Sequence, residues 1–410
     1  MIQARSAAVA ALLIAAASFI QAISIGINAV VFPTALESYG VSKSMIGLIM
    51  AIEFVSVFAV SGAMPRLLGI ARLYTWLLIS TLLRLPALVL LSYVVEVPAW
   101  LFLVALHGLG NVLFGSLLQT WINSLSFSGA RGLLIALYGS SISIGLALGP
   151  VLAQGIGGFE SAVAPGLQWL DQLLAQHFSF GPDGQITTAT RSALLLSALF
   201  STLAAIPILG GRIFSPRFER AVQGSLVSTL RRAPAVMFAI ALTGTTILGL
   251  QSFITLYGIN NGLAFDQAAL LLSAFMLGAI VLEMPFAWLS DHFDRRYVLM
   301  GLVLLSVAAA VGLPMAIYDP WLAKGLLFCW GGVMGGLYSI CLAVISERFE
   351  GADQIAANGM ASIMEALGGM FGILAIGLAM EAFAMDGLPY VLMFACVLYF
   401  SFALTRYPIR

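Results

Sequence analysis

The chain has 410 residues, of which 61% are hydrophobic and only 9% are charged, and its formal net charge at pH 7 is zero. Soluble globular proteins carry about a quarter charged residues, so this composition excludes a soluble domain. The neutral balance gives no basis for nucleic-acid binding, and long continuous apolar runs are not the alternating pattern of a membrane β-barrel. The composition therefore predicts an all-α polytopic membrane protein.

Twelve apolar runs follow one another along the chain, each near the ~20 residues with which a helix crosses a bilayer. The first run follows a short positive start at Arg5 and continues through Val31, which is longer than the core of a cleaved signal peptide. The runs predict membrane spans at roughly residues 8–34, 42–65, 73–95, 99–122, 133–157, 192–210, 234–258, 266–288, 297–318, 322–345, 356–382 and 388–405.

The placement of the arginines predicts the orientation and the division into halves. If the N-terminus lies inside, most arginines lie inside as well, which is the positive-inside pattern. The outer loops then hold only Lys43, Arg191 and Lys324, whereas the one long polar interruption carries Arg212, Arg217, Arg220, Arg231 and Arg232. The sequence thus predicts an N-terminal six-helix bundle (1–210), a cytoplasmic linker (211–233) and a C-terminal six-helix bundle (234–410), with both termini cytoplasmic.

The longest outer connection runs over residues 158–191. Four apolar residues in it fall at helical spacing between polar ones: Leu167, Leu170, Leu174 and Phe178. This pattern predicts a short helix lying at the outer membrane surface. A lid over an outward-facing cavity is the alternative interpretation.

Two short motifs mark the predicted loops and helix contacts. After the eighth span the chain reads AWLSDHFDRR, with Asp291 followed by Arg295 and Arg296. The fifth span contains Gly145 and Gly149, four residues apart, and then Pro150. Small residues at this spacing let two helices approach closely, and the proline bends the helix.

The layout and these motifs resemble the major facilitator superfamily. The first motif is similar to that family's loop motif, with Asp294 at the usual glycine, and the second is similar to its antiporter-associated motif. Residues 331–359 resemble a branch of bacterial permeases without an assigned substrate. The equivalent loop after the second span departs from the pattern, because Arg66 stands where the family has an acidic residue.

This resemblance implies two six-helix bundles and alternating access around a cargo held near the middle of the membrane. Asp291, Arg295 and Arg296, together with the motif at Gly145, Gly149 and Pro150, are then expected to act in gating. In this family spans 1, 4, 7 and 10 line the central cavity. Their polar and aromatic residues include Gln21, Asn28, Asn111, Gln119, Gln251, Thr255, Tyr257, Trp330, Tyr338 and Ser339. Hydrogen bonding between helices is the alternative role for each of them.

Ionisable side chains inside the predicted spans give the strongest functional signal, because each costs about 2.5–3.5 kcal/mol on insertion scales. Glu53 and Arg84 lie at equal predicted depth on consecutive spans, so an ion pair is expected. The alternative is that Arg84 binds an anionic substrate. His107 is either a packed, hydrogen-bonded histidine or a proton relay.

Glu283 and Glu365 have no base left to pair with inside the predicted spans. A buried carboxyl group without a cation is least costly when protonated. Together with Glu53 and His107 they are the candidates for proton coupling. A permanently protonated, hydrogen-bonded glutamic acid is the alternative for each glutamate.

We therefore predict a secondary active transporter of the bacterial inner membrane, a monomer that moves a small molecule. Proton-coupled efflux (antiport) of an amphipathic compound is favoured by the Gly149–Pro150 motif. Proton symport or uniport of a small polar metabolite or organic anion is the alternative. A non-transporting membrane assembly or receptor protein on the same fold is a rival from another class.

Enzymatic function is not expected from this sequence. There is no GxxxxGK[ST] phosphate loop, and we predict no catalytic residue, no cofactor and no metal site. The three cysteines Cys329, Cys341 and Cys396 lie in apolar runs without metal-ligand spacing, as small hydrophobic residues of a membrane protein do.

Overall fold

The computed structural model describes residues 2–125, 131–155, 187–211 and 226–406. Within these ranges the regular structure is helical, because long apolar stretches in a bilayer must satisfy their backbone hydrogen bonds internally. The helices are α1 (Ile2–Ser38), α2 (Lys43–Ile70), α3 (Leu73–Leu91), α4 (Val97–Ser124), α5 (Arg131–Gln154), α6 (Thr188–Leu203), α7 (Ala205–Gly211), α8 (Leu226–Arg232), α9 (Pro234–Asn260), α10 (Phe265–His292), α11 (Arg295–Ala316), α12 (Pro320–Arg348), α13 (Gly351–Ala382) and α14 (Gly387–Arg406), with one 3₁₀ turn at Ala384–Asp386.

Twelve of the described segments are long and apolar enough to cross a membrane, which confirms the predicted number of spans. The sixth span consists of α6 and α7, which are separated at Ala204. Most helices extend beyond the predicted apolar runs. For example, α4 has 28 residues, or about 42 Å at 1.5 Å per residue, so its ends pass the hydrocarbon core.

Contacts between helices divide the chain into two compact units. The first comprises Met1–Val41 and Val55–Arg220, and the second comprises Ser42–Phe54 and Ala221–Arg410. The boundary near residue 220 falls inside the predicted linker. The beginning of α2 differs from the predicted N-terminal bundle, because it groups with the second unit.

A glycine crossing explains this grouping of α2. Gly47 of α2 lies so close to α13 that a Cβ atom built on it would meet the Gly377 Cα at 3.3 Å. At the start of α2 the Ser44 amide donates to the Glu381 carboxylate at 3.0 Å. A carboxylate is favourable at this position because the N-terminus of a helix has free N–H groups.

Glycines also set the distance between helices in the first unit. A Cβ atom built on Gly149 of α5 would lie 2.6 Å from the Gly26 Cα of α1, and one on Gly145 would lie 2.5 Å from the Phe19 carbonyl oxygen. The close approach predicted from Gly145 and Gly149 is therefore present, and α1 is the partner helix.

The second unit repeats this device in a corresponding helix pair. Side chains on Gly244 of α9 or Gly368 of α13 would collide with the backbone of the facing helix at Glu365 and Ala241, respectively. The Thr245 hydroxyl donates to the Gly368 carbonyl oxygen at 2.9 Å across the same contact. Close backbone packing of this kind is how membrane helices associate without a hydrophobic driving force.

Two predictions lie outside the described residues. The helix expected within residues 158–191 falls on residues 156–186, and three of the central arginines, Arg212, Arg217 and Arg220, fall on residues 212–225. Both stay predictions.

The α1–α5 crossing predicts a position-specific cost for a single methyl group. Gly149→Ala places a Cβ against backbone atoms of Gly26 and Ile27, so we expect it to destabilise the protein by ~1–3 kcal/mol, as overpacking does. Gly139→Ala in the same helix is the matched control, because nothing lies within 4 Å of its added methyl. Thermal unfolding of the purified proteins measures both. Equal melting temperatures for the two variants would contradict the close crossing.

Candidate functional site

The first unit buries a group of hydrogen bonds, which we call the amide network, between α1, α4 and α6. Gln21 Nε2 donates to Asn111 Oδ1 at 2.9 Å, and the Asn28 amide nitrogen lies 3.4 Å from His107 Nε2. Ser197 of α6 donates to the Asn28 amide oxygen at 2.6 Å. Gln21, Asn28 and His107 are buried. The structure thus brings four predicted site residues together, in the interhelical hydrogen bonding that the sequence analysis kept as their alternative role.

Arg84 lies in the middle of α3 and has no solvent-exposed surface. Its Nε donates to the Ser80 carbonyl oxygen at 3.2 Å, and Nη2 donates to Thr81 Oγ1 at 3.1 Å, so both bonds stay within α3. The guanidinium carbon lies 4.2 Å from the centroid of the Phe114 ring of α4, which is a cation–π contact. Nη1 has no hydrogen-bond partner among the described residues.

The predicted ion pair between Glu53 and Arg84 stays a prediction. Glu53 belongs to the part of α2 that groups with the second unit, whereas Arg84 lies in the first. The contacts that hold Arg84 in place come from its own helix and from α4.

A second polar group, which we call the carboxylate cluster, lies in the second unit. The Ser339 hydroxyl donates to Glu283 Oε1, and the Tyr338 hydroxyl donates to the Glu365 carboxylate. Tyr338 also lies within electrostatic range of Glu283. Consecutive residues of α12 therefore connect an acid of α10 with an acid of α13. All four side chains are only partly buried.

The acids of the carboxylate cluster have hydroxyl partners. The ion pairs at the helix ends of the second unit, within the described ranges, are Arg232–Asp353, Arg295–Asp291 and Arg295–Glu347, and they do not involve Glu283 or Glu365. Hydroxyl groups hydrogen-bond an acid but do not neutralise it. A carboxyl group in this setting is least costly with a proton bound.

The remaining predicted cavity residues fall into a buried and an accessible set. Trp330 is buried in the second unit, and its indole N–H donates to Ser306 of α11 at 2.7 Å, so it packs within the unit. Thr255 and Tyr257 are also buried. Gln251 is partly exposed and Gln119 is exposed. Gln251 and Gln119 are thus accessible, whereas Trp330 packs within its unit, and the role of these residues as cargo contacts stays a prediction.

The predicted gating residues form an ion-pair group at the ends of α10, α11 and α12. Arg295 Nη1 lies 2.6 Å from Glu347 Oε2, and Arg295 Nη2 lies 3.3 Å from Asp291 Oδ1. Asp294, which replaces the family's usual glycine, accepts from the Arg296 backbone N–H at 2.9 Å and caps α11. Arg295 is thus the member of the basic pair that joins the three helix ends.

A further ion pair holds the short helix α8 of the predicted linker. Arg232 Nη1 lies 2.8 Å from Asp353 Oδ2 of α13. The Arg232 guanidinium carbon also lies 4.8 Å from the centroid of the Phe349 ring. The described end of the linker is therefore fastened to the second unit.

Sequence reasoning missed three residues that these groups use: Ser197, Glu347 and Asp353. A serine in an apolar run carries little signal, and Ser339 stands out in the sequence only as a polar residue of an expected cavity-lining span. Glu347 and Asp353 stand at helix ends, where acidic residues are common. Only the spatial proximity of Arg295 and Arg232 identifies them.

The geometry predicts an unequal contribution from the two basic residues of the loop motif. A double-mutant cycle of Arg295→Ala with Glu347→Ala should give a coupling energy of ~0.5–1 kcal/mol, which is typical of an accessible ion pair. The same cycle with Arg296→Ala in place of Arg295→Ala is the control and should be additive. Chemical denaturation of the purified variants measures both cycles. Equal coupling in the two cycles would contradict the assignment of Arg295.

Comparison with known proteins agrees with this architecture. Residues 235–410 match the family model described as Major Facilitator Superfamily. The chain is 23% identical over 304 residues to the uncharacterized MFS-type transporter YfkF of Bacillus subtilis (strain 168), covering 72% of this chain and 69% of that protein.

Two solved structures share the fold at low sequence identity. One is a bacterial homolog of the human lysosomal transporter Spinster in an inward-facing, occupied conformation, with a TM-score of 0.78, 14% identity and coverage of 97% and 96% of the two chains. The other is the nucleoside transporter NupG, with a TM-score of 0.66, 14% identity and coverage of 98% and 100%. The second half of the chain is therefore similar in sequence to the Major Facilitator Superfamily, and the twelve apolar helices have the fold of these solved transporters.

Proposed function

We propose that the protein is a proton-coupled secondary transporter of a bacterial inner membrane, and that Glu283 and Glu365 carry the coupled protons. The carboxylate cluster supports this proposal, because two acids of different helices share one hydrogen-bonded segment of α12. They lie in spans and have hydroxyl partners in place of cations. Such acids gain stability by taking up a proton.

The position of the carboxylate cluster suits coupling to a helix movement. Glu283, Ser339 and Glu365 belong to α10, α12 and α13, so the hydrogen bonds persist only while these three helices keep their spacing. A change in that spacing alters the donors available to each acid. The proton affinity and the helix arrangement are then linked, as coupling requires.

Antiport efflux of an amphipathic compound is the transport mode that the α1–α5 contact supports. Gly145, Gly149 and Pro150 stand as in the family's antiporter-associated motif, and the glycines meet α1 at backbone distance. Partly exposed amides, Gln251 and Asn111, offer both donors and acceptors to a cargo whose remainder is apolar.

Proton symport of an organic anion is the second candidate, and Arg84 favours it. A permanently charged guanidinium in the middle of a span is suited to an anionic group. Antiport and symport predict opposite directions of proton movement for the same direction of cargo movement.

Neutralising the two acids should abolish the coupling. We expect Glu283→Gln and Glu365→Gln each to remove proton movement that depends on cargo, because a glutamine amide, unlike a carboxylate, does not bind a proton. Proteoliposomes with a trapped pH indicator and a panel of metabolites and dyes provide the measurement. Infrared spectra test for the protonated acids without any cargo, since each substitution should remove one carboxyl band.

Matched serine variants test the hydrogen-bonded segment of α12. Ser339→Ala removes the donor to Glu283 and should change the pH dependence of transport, whereas Ser346→Ala in the same helix removes only a bond to the Ala343 carbonyl oxygen. If both glutamine variants keep proton-driven flux and both carboxyl bands persist, Glu283 and Glu365 are not the coupling groups.

A further inference from the structure

Arg84 is a buried cation whose charge is not paired within its own unit. The described part of the first unit contains two carboxylates, Glu37 in the last turn of α1 and Glu96 just before α4, and neither forms an ion pair with Arg84. A guanidinium cannot lose its proton in a protein. Its full charge therefore stays in an apolar helix bundle, which is costly without an anion.

Arg84 also has N–H donors that no described acceptor uses, and the arrangement of these donors suits an oxyanion. A guanidinium has five N–H donors, of which Nε and Nη2 use one each, so three remain and two of these are on Nη1. The Phe114 ring covers one face of the group. The free donors lie in the guanidinium plane, where a carboxylate binds with two parallel hydrogen bonds.

The fold makes room for this arginine on α4. A Cβ atom on Gly110 would lie 2.7 Å from Arg84 Cγ and 2.7 Å from the Ser80 carbonyl oxygen, so only glycine fits between α3 and α4 there. His107 stands one turn before Gly110 on α4, and Asn111 follows Gly110 directly, about 100° further around the helix. Gly110 thus leaves room for the charged side chain of Arg84, although an apolar residue at position 84 would cost less free energy to bury.

A second polar atom, Gln21 Oε1, also lacks a hydrogen-bond partner among the described residues, and its side chain contacts Asn111 of α4. Gln21 is 4% exposed, and its Nε2 donates to Asn111 while its Oε1 has no hydrogen-bond partner among the described residues. Asn111 itself is partly exposed. This turn of α4 therefore carries both the contact with the buried guanidinium, at Gly110, and an accessible amide, at Asn111.

We propose that Arg84 binds the carboxylate of the transported compound, so that the cargo is an organic acid with an apolar body. Arg84 supplies the in-plane donors, and Thr81 orients the guanidinium through Nη2. Gln21 and Asn111 contact the part of the acid next to its carboxylate. The proposal rests on the transport function above, but it does not depend on which residues carry the proton.

The first test uses the protein without any anion. If Arg84 is an unpaired binding group, the apolar substitution Arg84→Met should leave the melting temperature in anion-poor buffer equal to or above that of the wild type, since binding sites are kept at the expense of stability. A purely structural arginine gives the opposite result. A lower melting temperature for Arg84→Met overturns the proposal.

The second test is binding in detergent, read as the shift in melting temperature, with decanoate as the probe and decanamide as its neutral control. Decanoate should stabilise the wild type and decanamide should not. Arg84→Gln and Arg84→Lys should weaken decanoate binding roughly 10- to 100-fold, because a bidentate charged hydrogen bond is lost in both. Equal stabilisation by acid and amide, equal binding to the variants, or no stabilisation of the wild type by decanoate overturns the proposal.

Two further experiments test whether the site takes a free inorganic anion and whether Glu53 pairs with Arg84. Inorganic phosphate and acetate should have little effect, and if they stabilise as well as decanoate does, the site takes a free oxyanion and not the cargo. The cycle of Glu53→Gln with Arg84→Met should be additive, whereas strong coupling, or rescue of stability by exchanging the two residues, assigns Arg84 to an ion pair and overturns the proposal. Binding is measured without a proton gradient, so it fails or succeeds independently of the Glu283 and Glu365 experiments.

Discussion

A charged side chain inside a bilayer has to be paired, protonated or bound to a ligand, and this constraint determines where the protein can do chemistry. The chain is only 9% charged, and the charges in its described spans are few. The first unit holds a guanidinium, and the second holds two acids with hydroxyl partners. A guanidinium cannot be neutralised by losing a proton, whereas an acid is neutralised by gaining one. On the two proposals made above, the two units therefore differ in the kind of particle that each accepts.

Close helix contacts position these groups. Gly110 brings α4 against the Arg84 side chain, and Gly244 lets α9 lie on the backbone of Glu365. In both places a glycine removes the side chain that would hold the helices apart. The favourable packing of two closely spaced helices thus offsets part of the free-energy cost of burying a polar side chain, and it also fixes the position of that side chain.

Much of the fold follows from the sequence, because apolar length alone identifies a membrane span. The twelve spans and the α5 glycines were predictable in this way, and the Asp291–Arg295 contact followed from the loop motif. The grouping of residues 42–54 with the second unit was not predictable. It depends on a crossing of Gly47 with Gly377, which are 330 residues apart in the sequence.

The candidate sites were predictable only in part, because a sequence shows which residues are ionisable but not which groups they contact. An ionisable residue in an apolar run is conspicuous, so Arg84, Glu283 and Glu365 could be selected from the sequence. The sequence does not show which hydroxyl groups pair with these acids, because the bond from Ser339 to Glu283 depends on how α10 and α12 pack. Whether an amide such as Gln21 binds cargo or hydrogen-bonds a neighbouring helix depends on how the helices pack. The periodicity of the sequence carries no information on that packing.

Charge balance connects the proposed anion site with the proposed proton site. Binding an acid at Arg84 adds one negative charge to the membrane-embedded part, and protonating one glutamate adds one positive charge. If the two bind together, the net charge is unchanged and the loaded carrier crosses between its states without work against the membrane potential. If the acid and the proton move in opposite directions, the acid-loaded and the proton-loaded carrier differ by two charges. Moving each charge across the membrane potential involves about 2.3 kcal/mol per 100 mV. An acidic cargo thus makes symport electroneutral and antiport strongly voltage-dependent, so the voltage dependence of transport reports the mode directly.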